Sequence, residues 1–295
     1  MDLGLVNLDT SHVIAFTELL HGDPESYGGL RVTHAWRGAS RVRGRADIEA
    51  YAVRLHDEFG VTLVDDLDDM VSRVDAALIE ANEGSRHLDH ARPFLAAGKR
   101  CWVDKPLANS VAEAREILEL AREGQTAVFS ASALRYVPSV VELSCQAIAG
   151  ADVQTPAPQH WANPGLLHYG IHGVEILMAL LGSGCRRVHC VRGDDGEVCT
   201  GLWSDGRLGT LRCRYSGPHH YVITAHKGDN GSSLHQEQLT LTDIYRPLVG
   251  QVAHFLNTGD CPLREAEMLA TIAFIEAAAT SARLGGVGVE LERWV

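Results

Sequence analysis

The sequence predicts a two-domain α/β protein: a doubly wound parallel sheet over residues 1–130, then an α+β domain over residues 131–295 built on an open, mostly antiparallel sheet. Three observations carry this. The first 130 residues alternate short apolar runs with amphipathic helical stretches, the pattern of right-handed βαβ units. The second half carries brief alternating segments separated by turn residues, the pattern of a meander. With 295 residues, 45% of them hydrophobic, the chain has apolar mass for two cores.

The first strand is Leu3 to Leu8, and Asp9-Thr10-Ser11 opens a helix from Val13 to Leu20. A second strand, Leu30 to Trp36, leads through an Arg-rich loop to a helix over Asp47 to Phe59. Val61 to Val64 is a strand and Leu67 to Val71 a short helix. The apolar run Ala76 to Ile79 reads as a buried strand, followed by a helix from His87 to Ala97 and a strand from Arg100 to Val103. The helix Val111 to Arg122 and the strand Ala127 to Ser130 complete this half. After a Pro-punctuated stretch, Thr155 to Pro164, a helix runs from Gly170 to Leu181. Strands follow at Arg187 to Val191, Val198 to Trp203, Leu208 to Tyr215, Tyr221 to His226 and Leu234 to Leu241, with turns at Asp194-Asp195-Gly196 and Asp205-Gly206. The chain closes on helices Leu248 to Leu256 and Glu265 to Arg283, the latter stopped by Gly285-Gly286.

Composition excludes several classes. A net charge of -12, from 26 basic and 38 acidic residues, opposes binding to a phosphate backbone, so no nucleic-acid partner is expected. The opening residues lack a basic, apolar leader, and no apolar run approaches the ~18 residues of a membrane span. A soluble, cytoplasmic protein without a membrane partner is expected. Seven cysteines, an odd number with no C-x-x-C pair, fit reduced thiols better than disulfides or a zinc knuckle.

In a doubly wound sheet the turn after the first strand normally cradles a pyrophosphate on glycines. Here Asn7, Asp9 and His12 occupy the three glycine positions. Two readings stand: Asp9 caps the helix and replaces the phosphate, or Thr10, Ser11 and His12 line a displaced dinucleotide. After the second strand, Arg37, Ser40, Arg41, Arg43 and Arg45 stand where an NAD site would place an acidic ribose reader. Arg and Ser suit a ribose 2′-phosphate, and a solvated basic loop is the equal alternative. Lysine occurs only at Lys99, Lys105 and Lys227, so each carries information.

The segment Asp75 to Ala108 (DAALIEANEGSRHLDHARPFLAAGKRCWVDKPLA), with its Ala97-Gly98-Lys99 turn and Asp104-Lys105-Pro106 in place of a Glu-Lys-Pro triplet, resembles the Gfo/Idh/MocA family of glucose-fructose oxidoreductases and inositol dehydrogenases. The resemblance extends to Leu134-Arg135-Tyr136, to His168 through Glu175, to Phe255 through Gly259 and to the last helix. The opening Asn7 to His12 is similar to a subgroup reading G-L-D-T-S-H, except at the first glycine. The family combines a Rossmann domain with an open antiparallel sheet carrying helices on one face, as the strand pattern independently predicts.

That resemblance makes Lys105 the expected substrate-holding ammonium at a strand end, and His172 the acid/base group. His168 stands where the family has an aspartate in D-x-x-x-H, and the spacing would put both rings on one helix face, with Glu175 available as the missing carboxylate. His168, His172 and Glu175 with His160 also read as a metal face, but the pattern lacks H-E-x-x-H and the family does not generally use metal, so none is expected. Glu80 ends a buried strand where the family has a small neutral residue, and His87 matches the family histidine beyond that turn. Both, with Asp104, are candidate cofactor contacts; Glu80 as helix cap or site lining stays open.

The expected activity is hydride transfer between NADP or NAD and a hydroxyl carbon of a sugar, cyclitol or related polyol. Alternatives are a lyase or ligand-binding protein with a degenerate dinucleotide loop, or a non-catalytic partner subunit. The open sheet, with Leu202, Leu208, Leu211, Val222 and Ile223 read as apolar surface, predicts a homodimer or homotetramer.

Overall fold

The computed structural model describes residues 1–228 and 232–291. The chain divides into two units: residues 1–108, 112–131 and 245–264 form the first, and residues 109–111, 132–244 and 265 onward the second. A single division near residue 130 therefore misses that residues 245–264 return to the first unit.

In chain order the first unit contains β1 (Asp2–Val6), α1 (His12–Gly22), β2 (Arg31–Trp36), α2 (Arg45–Phe59), β3 (Thr62–Val64), α3 (Leu67–Val71), β4 (Ala76–Ile79), α4 (His87–Ala96), β5 (Cys101–Val103), α5 (Val111–Glu123) and β6 (Val128–Phe129). All strands run parallel in the order β3-β2-β1-β4-β5-β6. Every residue of β4 and β5 is buried, because helices cover both faces of a parallel sheet. The order reverses between β1 and β4, and at that switch point such sheets bind ligands beyond the strands' carboxyl ends. Gly98 holds the α4–β5 turn at φ 73, a left-handed conformation that favours glycine. Lys99 is spent on this turn, donating from Nζ to the Val74 carbonyl.

The second unit opens with α6 (Pro138–Ser144), β7 (Ile148–Pro156), α7 (Gly170–Leu181), β8 (Cys185–Arg192), β9 (Gly196–Trp203), β10 (Leu208–Arg214), β11 (Val222–Lys227) and β12 (Ser233–Gln238). Next comes α8 (Tyr245–Thr258), which belongs to the first unit: Phe255 packs edge-on against Phe129 at 5.7 Å, and Arg100 Nη1 donates to the Leu256 carbonyl at 2.7 Å. The second unit ends with α9 (Glu265–Arg283) and β13 (Val289–Glu290). Its sheet order is β12-β11-β7-β10-β9-β8-β13, antiparallel except where β7 meets β10.

β7 is absent from the sequence reading because Gly150, Asp152 and Pro156 all disfavour strands in isolation. Pairing on both sides overrides that weak preference, and the Asp152 carboxylate accepts from Thr210 on β10 and meets His226 Nε2 on β11 at 2.9 Å. On β9 the alternation buries Glu197, Cys199, Gly201 and Trp203 on one face, which α7 and α9 cover. Leu211 and Ile223 are fully buried, which corrects their assignment to an apolar outer surface; Leu208 is 52% exposed. Among the described residues, no helix is long and apolar enough to cross a membrane.

Candidate active site

In the first unit, the residue directly following each central strand is polar: Arg37 after β2, Asn7 after β1, Glu80 after β4 and Asp104 after β5. The strand order sets these four side by side along the carboxyl edge, across the switch point. Backbone bonds hold the edge together: Asn7 N–H donates to the Trp36 carbonyl at 3.0 Å, Glu80 N–H to Val6 at 2.9 Å and Asp104 N–H to Ile79 at 2.9 Å. Asn7 takes φ 73, the glycine-like conformation of the position it fills. Gly38 has to lack a side chain, since a Cβ there would fall 1.7 Å from Asn7 Oδ1.

Asp9 does not cap α1. Its Oδ1 accepts the backbone N–H of Asn82 at 2.8 Å, tying the β1–α1 turn to the loop after β4. The N-cap of α1 is Ser11, in helical conformation and without a side-chain bond, while the helix's first amide, His12 N–H, donates to Thr10 Oγ1 at 3.4 Å. Burial pushes the Asp9 carboxyl above its ordinary value, against the hydrogen bonds from Ser40, Asn82 and Asn7 that favour its charge.

His12 Nδ1 lies 2.9 Å from Asp104 Oδ2, an ion pair when the ring is protonated. The His12 ring stacks on Phe16 and meets Tyr245 edge-on at 4.9 Å. Burial alone would raise the Asp104 carboxyl, but the charge and hydrogen bond of His12, with Lys105 and His87, outweigh it and hold Asp104 at about 2. Lys105 follows Asp104 at the strand end, its backbone N–H donating to Asp104 Oδ1 at 2.7 Å. Glu80 is fully buried with neither carboxyl oxygen hydrogen-bonded. Burial first, then the neighbouring Asp104 and Asp9, push it well above the usual carboxylate range.

His87 is corrected from cofactor contact to clamp. It is fully buried, and its ring nitrogens sit 2.7 Å from the Pro106 carbonyl and 2.7 Å from the Ala81 carbonyl, which leaves no nitrogen for a ligand. It joins the loops beyond β4 and β5. Arg37, Ser40, Arg43 and Arg45 line a cavity of about 630 Å³ with Gly38, Glu49 and Asp65. There Arg37 is held by Glu49 through Nε at 3.0 Å and Nη2 at 3.1 Å, and Ser40 Oγ accepts the Val42 and Arg43 amides at 3.0 Å. Arg41 pairs instead with buried Glu83.

In the second unit, His172 lies in the first turn of α7, its Nδ1 2.7 Å from Ser132 Oγ. The serine is fully buried and also accepts the Leu134 amide at 3.1 Å, which fixes its hydroxyl. Ser132 carries no signal in the sequence: it lies three residues beyond the end of β6, not directly after it as the other edge residues do after their strands. α7 is held close to the sheet at Gly173, where a Cβ would lie 2.4 Å from Leu211.

His168 does not share a helix face with His172: α7 starts at Gly170, and the Tyr169 ring contacts both, at 4.9 Å from His168 and 5.7 Å from His172. His168 faces His160 at 5.1 Å, and Tyr169 also meets His219 at 5.1 Å. Glu175 serves neither histidine. It pairs with buried Arg135 at 3.2 Å, and Arg135 reaches Glu267 on α9 at 2.8 Å. Among the described residues, His160, His168, His172 and Glu175 do not gather into a group able to share a metal ion.

Residues 34–132 match the model of the GFO_IDH_MocA family, described as an oxidoreductase family with an NAD-binding Rossmann fold. No curated protein matches the sequence. Among solved structures, GenD2 from gentamicin A biosynthesis in complex with NAD is 17% identical with a TM-score of 0.82, over 98% of this chain and 96% of that one. Myo-inositol 2-dehydrogenase from Lactobacillus plantarum is 13% identical with a TM-score of 0.80, over 98% and 99%. Apo scyllo-inositol dehydrogenase from Lactobacillus casei is 13% identical with a TM-score of 0.79, over 99% and 98%. At these identities the likeness establishes the fold.

Proposed function

From residues 34–132, which match the Gfo/Idh/MocA oxidoreductases and their NAD-binding Rossmann fold, we propose that the chain is an NAD(P)-dependent dehydrogenase acting on a hydroxyl carbon of a sugar, cyclitol or related polyol. The observation that carries the reading is the polar edge at the switch point, where Glu80 keeps two buried, unpartnered oxygens beside an α1 whose N-cap makes no side-chain bond. These features fit a dinucleotide: the first turn of α1 suits a pyrophosphate, and a protonated Glu80 can both donate to and accept from hydroxyl or amide groups. Thr10, Ser11 and His12 follow Asp9 in the same turn, and Arg37, Ser40, Arg43 and Arg45 would receive a ribose 2′-phosphate, which favours NADP.

The bound cofactor supplies the hydride acceptor, or the donor in the reverse direction. The chain's own work is proton management. His172 takes the hydroxyl proton as the carbon is oxidised and returns it on reduction, with Ser132 orienting its ring through Nδ1. The Lys105 ammonium holds the reacting oxygen and favours its anionic form. His168, Tyr169 and His160 extend the aromatic wall beside His172 and stand as substrate contacts. The neighbours named as inositol dehydrogenases support a polyol substrate.

The test is NAD(P)H formation with a panel of inositols and sugars. Lys105→Ala and His172→Ala should each lower turnover by roughly 10²–10⁴-fold at unchanged circular dichroism. The competing reading, a lyase or ligand-binding protein, requires substrate turnover or binding that ignores the dinucleotide. Exposed Val191, Leu208 and Leu234 on the second sheet support assembly as a homodimer or homotetramer, which light scattering would measure.

A further inference from the structure

Spacing in the sequence gives no metal signature, but the second sheet gathers three cysteines and a glutamate on one face. β8 and β9 form a hairpin in which Cys190 lies directly opposite Cys199. The Cys190 amide donates to Ser281 Oγ on α9 at 2.8 Å rather than to β9. This is therefore a non-hydrogen-bonded pair, the type whose Cα atoms lie about 4.5 Å apart and whose side chains come closest. Alternation puts Glu197 on the same face two residues before Cys199, with Cys213 opposite it on β10. All four are buried. The Cys199 thiol donates to Cys190 Sγ at 2.8 Å, and the Cys190 thiol donates to Glu197 Oε2 at 3.5 Å.

The Glu197 carboxylate is half-used. Oε2 also accepts from Arg192, through Nη2 at 3.0 Å and Nε at 3.3 Å, whereas Oε1 is buried without a hydrogen-bond partner. Leaving a buried carboxylate oxygen idle is costly. One ligand atom from each of Cys190, Cys199 and Glu197 lies within 4.8 Å of the others. From this arrangement we infer that Cys190, Cys199 and Glu197 form a binding site for a zinc-class divalent cation.

Two sulfurs and a carboxylate oxygen are a donor set that zinc accepts, and three protein ligands leave a fourth position for water. Binding releases the two thiol protons to solvent. The two thiolates and the carboxylate are then balanced by the ion's two charges and Arg192. A disulfide between Cys190 and Cys199, the competing outcome for sulfurs this close, leaves Glu197 Oε1 idle; the metal engages all three side chains. A cavity of about 310 Å³, lined by Glu197 and Arg192 with Ile275, Glu276, Ala279 and Arg283 of α9, gives the ion a way in.

The test uses the full chain, stripped of metal under reducing conditions and titrated with Zn²⁺ against a chromophoric chelator, then separately with Co²⁺. One ion per chain is expected, with thiolate-to-cobalt charge-transfer absorption. Cys199→Ser and Glu197→Gln should each weaken binding by more than the roughly 10–100-fold that removing a merely orienting group costs. Cys145→Ser, at an exposed thiol, should bind as the parent does. Binding no tighter than that of a Cys190→Ser/Cys199→Ser double variant overturns the inference. So does an intact mass lighter by two hydrogens with Cys190 linked to Cys199 in the chain purified without chelator. If the cysteine variants fail to fold, the cobalt spectrum of the parent chain decides by the presence or absence of the thiolate band.

Discussion

Asp9 Oδ1 accepts the backbone N–H of Asn82 at 2.8 Å, so the carboxylate that replaces a loop glycine latches β1's turn to β4's loop instead of capping α1. Charge and latch can be separated. Asp9→Asn keeps an acceptor for Asn82 and removes the charge, and it should tighten dinucleotide binding by about fivefold, the ~1 kcal/mol between like charges about 4 Å apart in water. Because burial raises the Asp9 carboxyl, the gain should grow with rising pH as the parent ionises. Asp9→Ala should lose the latch and stability as well. Calorimetric titration of both variants, each checked for folding, measures this; equal affinity in parent and Asp9→Asn at all pH would show that the charge is not felt.

The His12–Asp104 pair predicts an acid-sensitive step. Asp104 ionises at about 2 in the folded chain against an ordinary 3.8, so as pH falls the unfolded chain takes up the proton first. The stability it contributes is complete above pH 3.8 and is lost as pH falls toward about 2. Its size is about 2 kcal/mol. Urea unfolding across that window should show a steeper loss of stability in the parent than in Asp104→Asn, and equal slopes would contradict the shift.

Glu80 has the opposite sign. Its folded carboxyl holds a proton well above 4.5, where the unfolded chain has released it, so stability falls as pH rises from that value toward the folded one. Glu80→Gln keeps the shape without the titration. Its stability should exceed the parent's at neutral pH and lack that fall. A parent curve that is flat from acid to neutral pH would contradict a buried, protonated Glu80.

Part of this edge is legible in the sequence, because β4 and β5 are wholly apolar runs that end at the first polar residue, Glu80 and Asp104. Arg37 follows a β2 that already carries Thr33 and His34, and the apolar pattern of β1 runs past Asn7 to Leu8, so polarity alone marks neither of those ends. What the edge residues bind is not legible: Asp9 finds Asn82, and His87 finds Ala81 and Pro106, through backbone groups that have no sequence signal. His168 falls outside the α7 that its spacing implied, since the helix begins only at Gly170. The Cys190–Cys199 pair was within reach. Equal steps outward from the Asp194-Asp195 turn arrive at both cysteines, but a search for knuckle spacings does not count across a hairpin.

Cofactor choice should follow the basic cavity. Arg43→Ala combined with Arg45→Ala should weaken NADP at least about tenfold and leave NAD nearly unchanged, since the guanidiniums recognise the 2′-phosphate. Arg37→Ala should do less, because Glu49 already neutralises that side chain. Fluorescence titration with both dinucleotides gives the ratio, and parallel losses for NAD and NADP would place the phosphate elsewhere.

Native mass spectrometry of the purified chain with added NADP or NAD shows whether this polar, glycine-poor edge holds a dinucleotide. One dinucleotide per chain is expected, NADP ahead of NAD, with occupancy raised by Asp9→Asn and lowered by the Arg43→Ala/Arg45→Ala pair. A folded chain that carries neither cofactor at millimolar concentration would contradict dinucleotide binding at this edge.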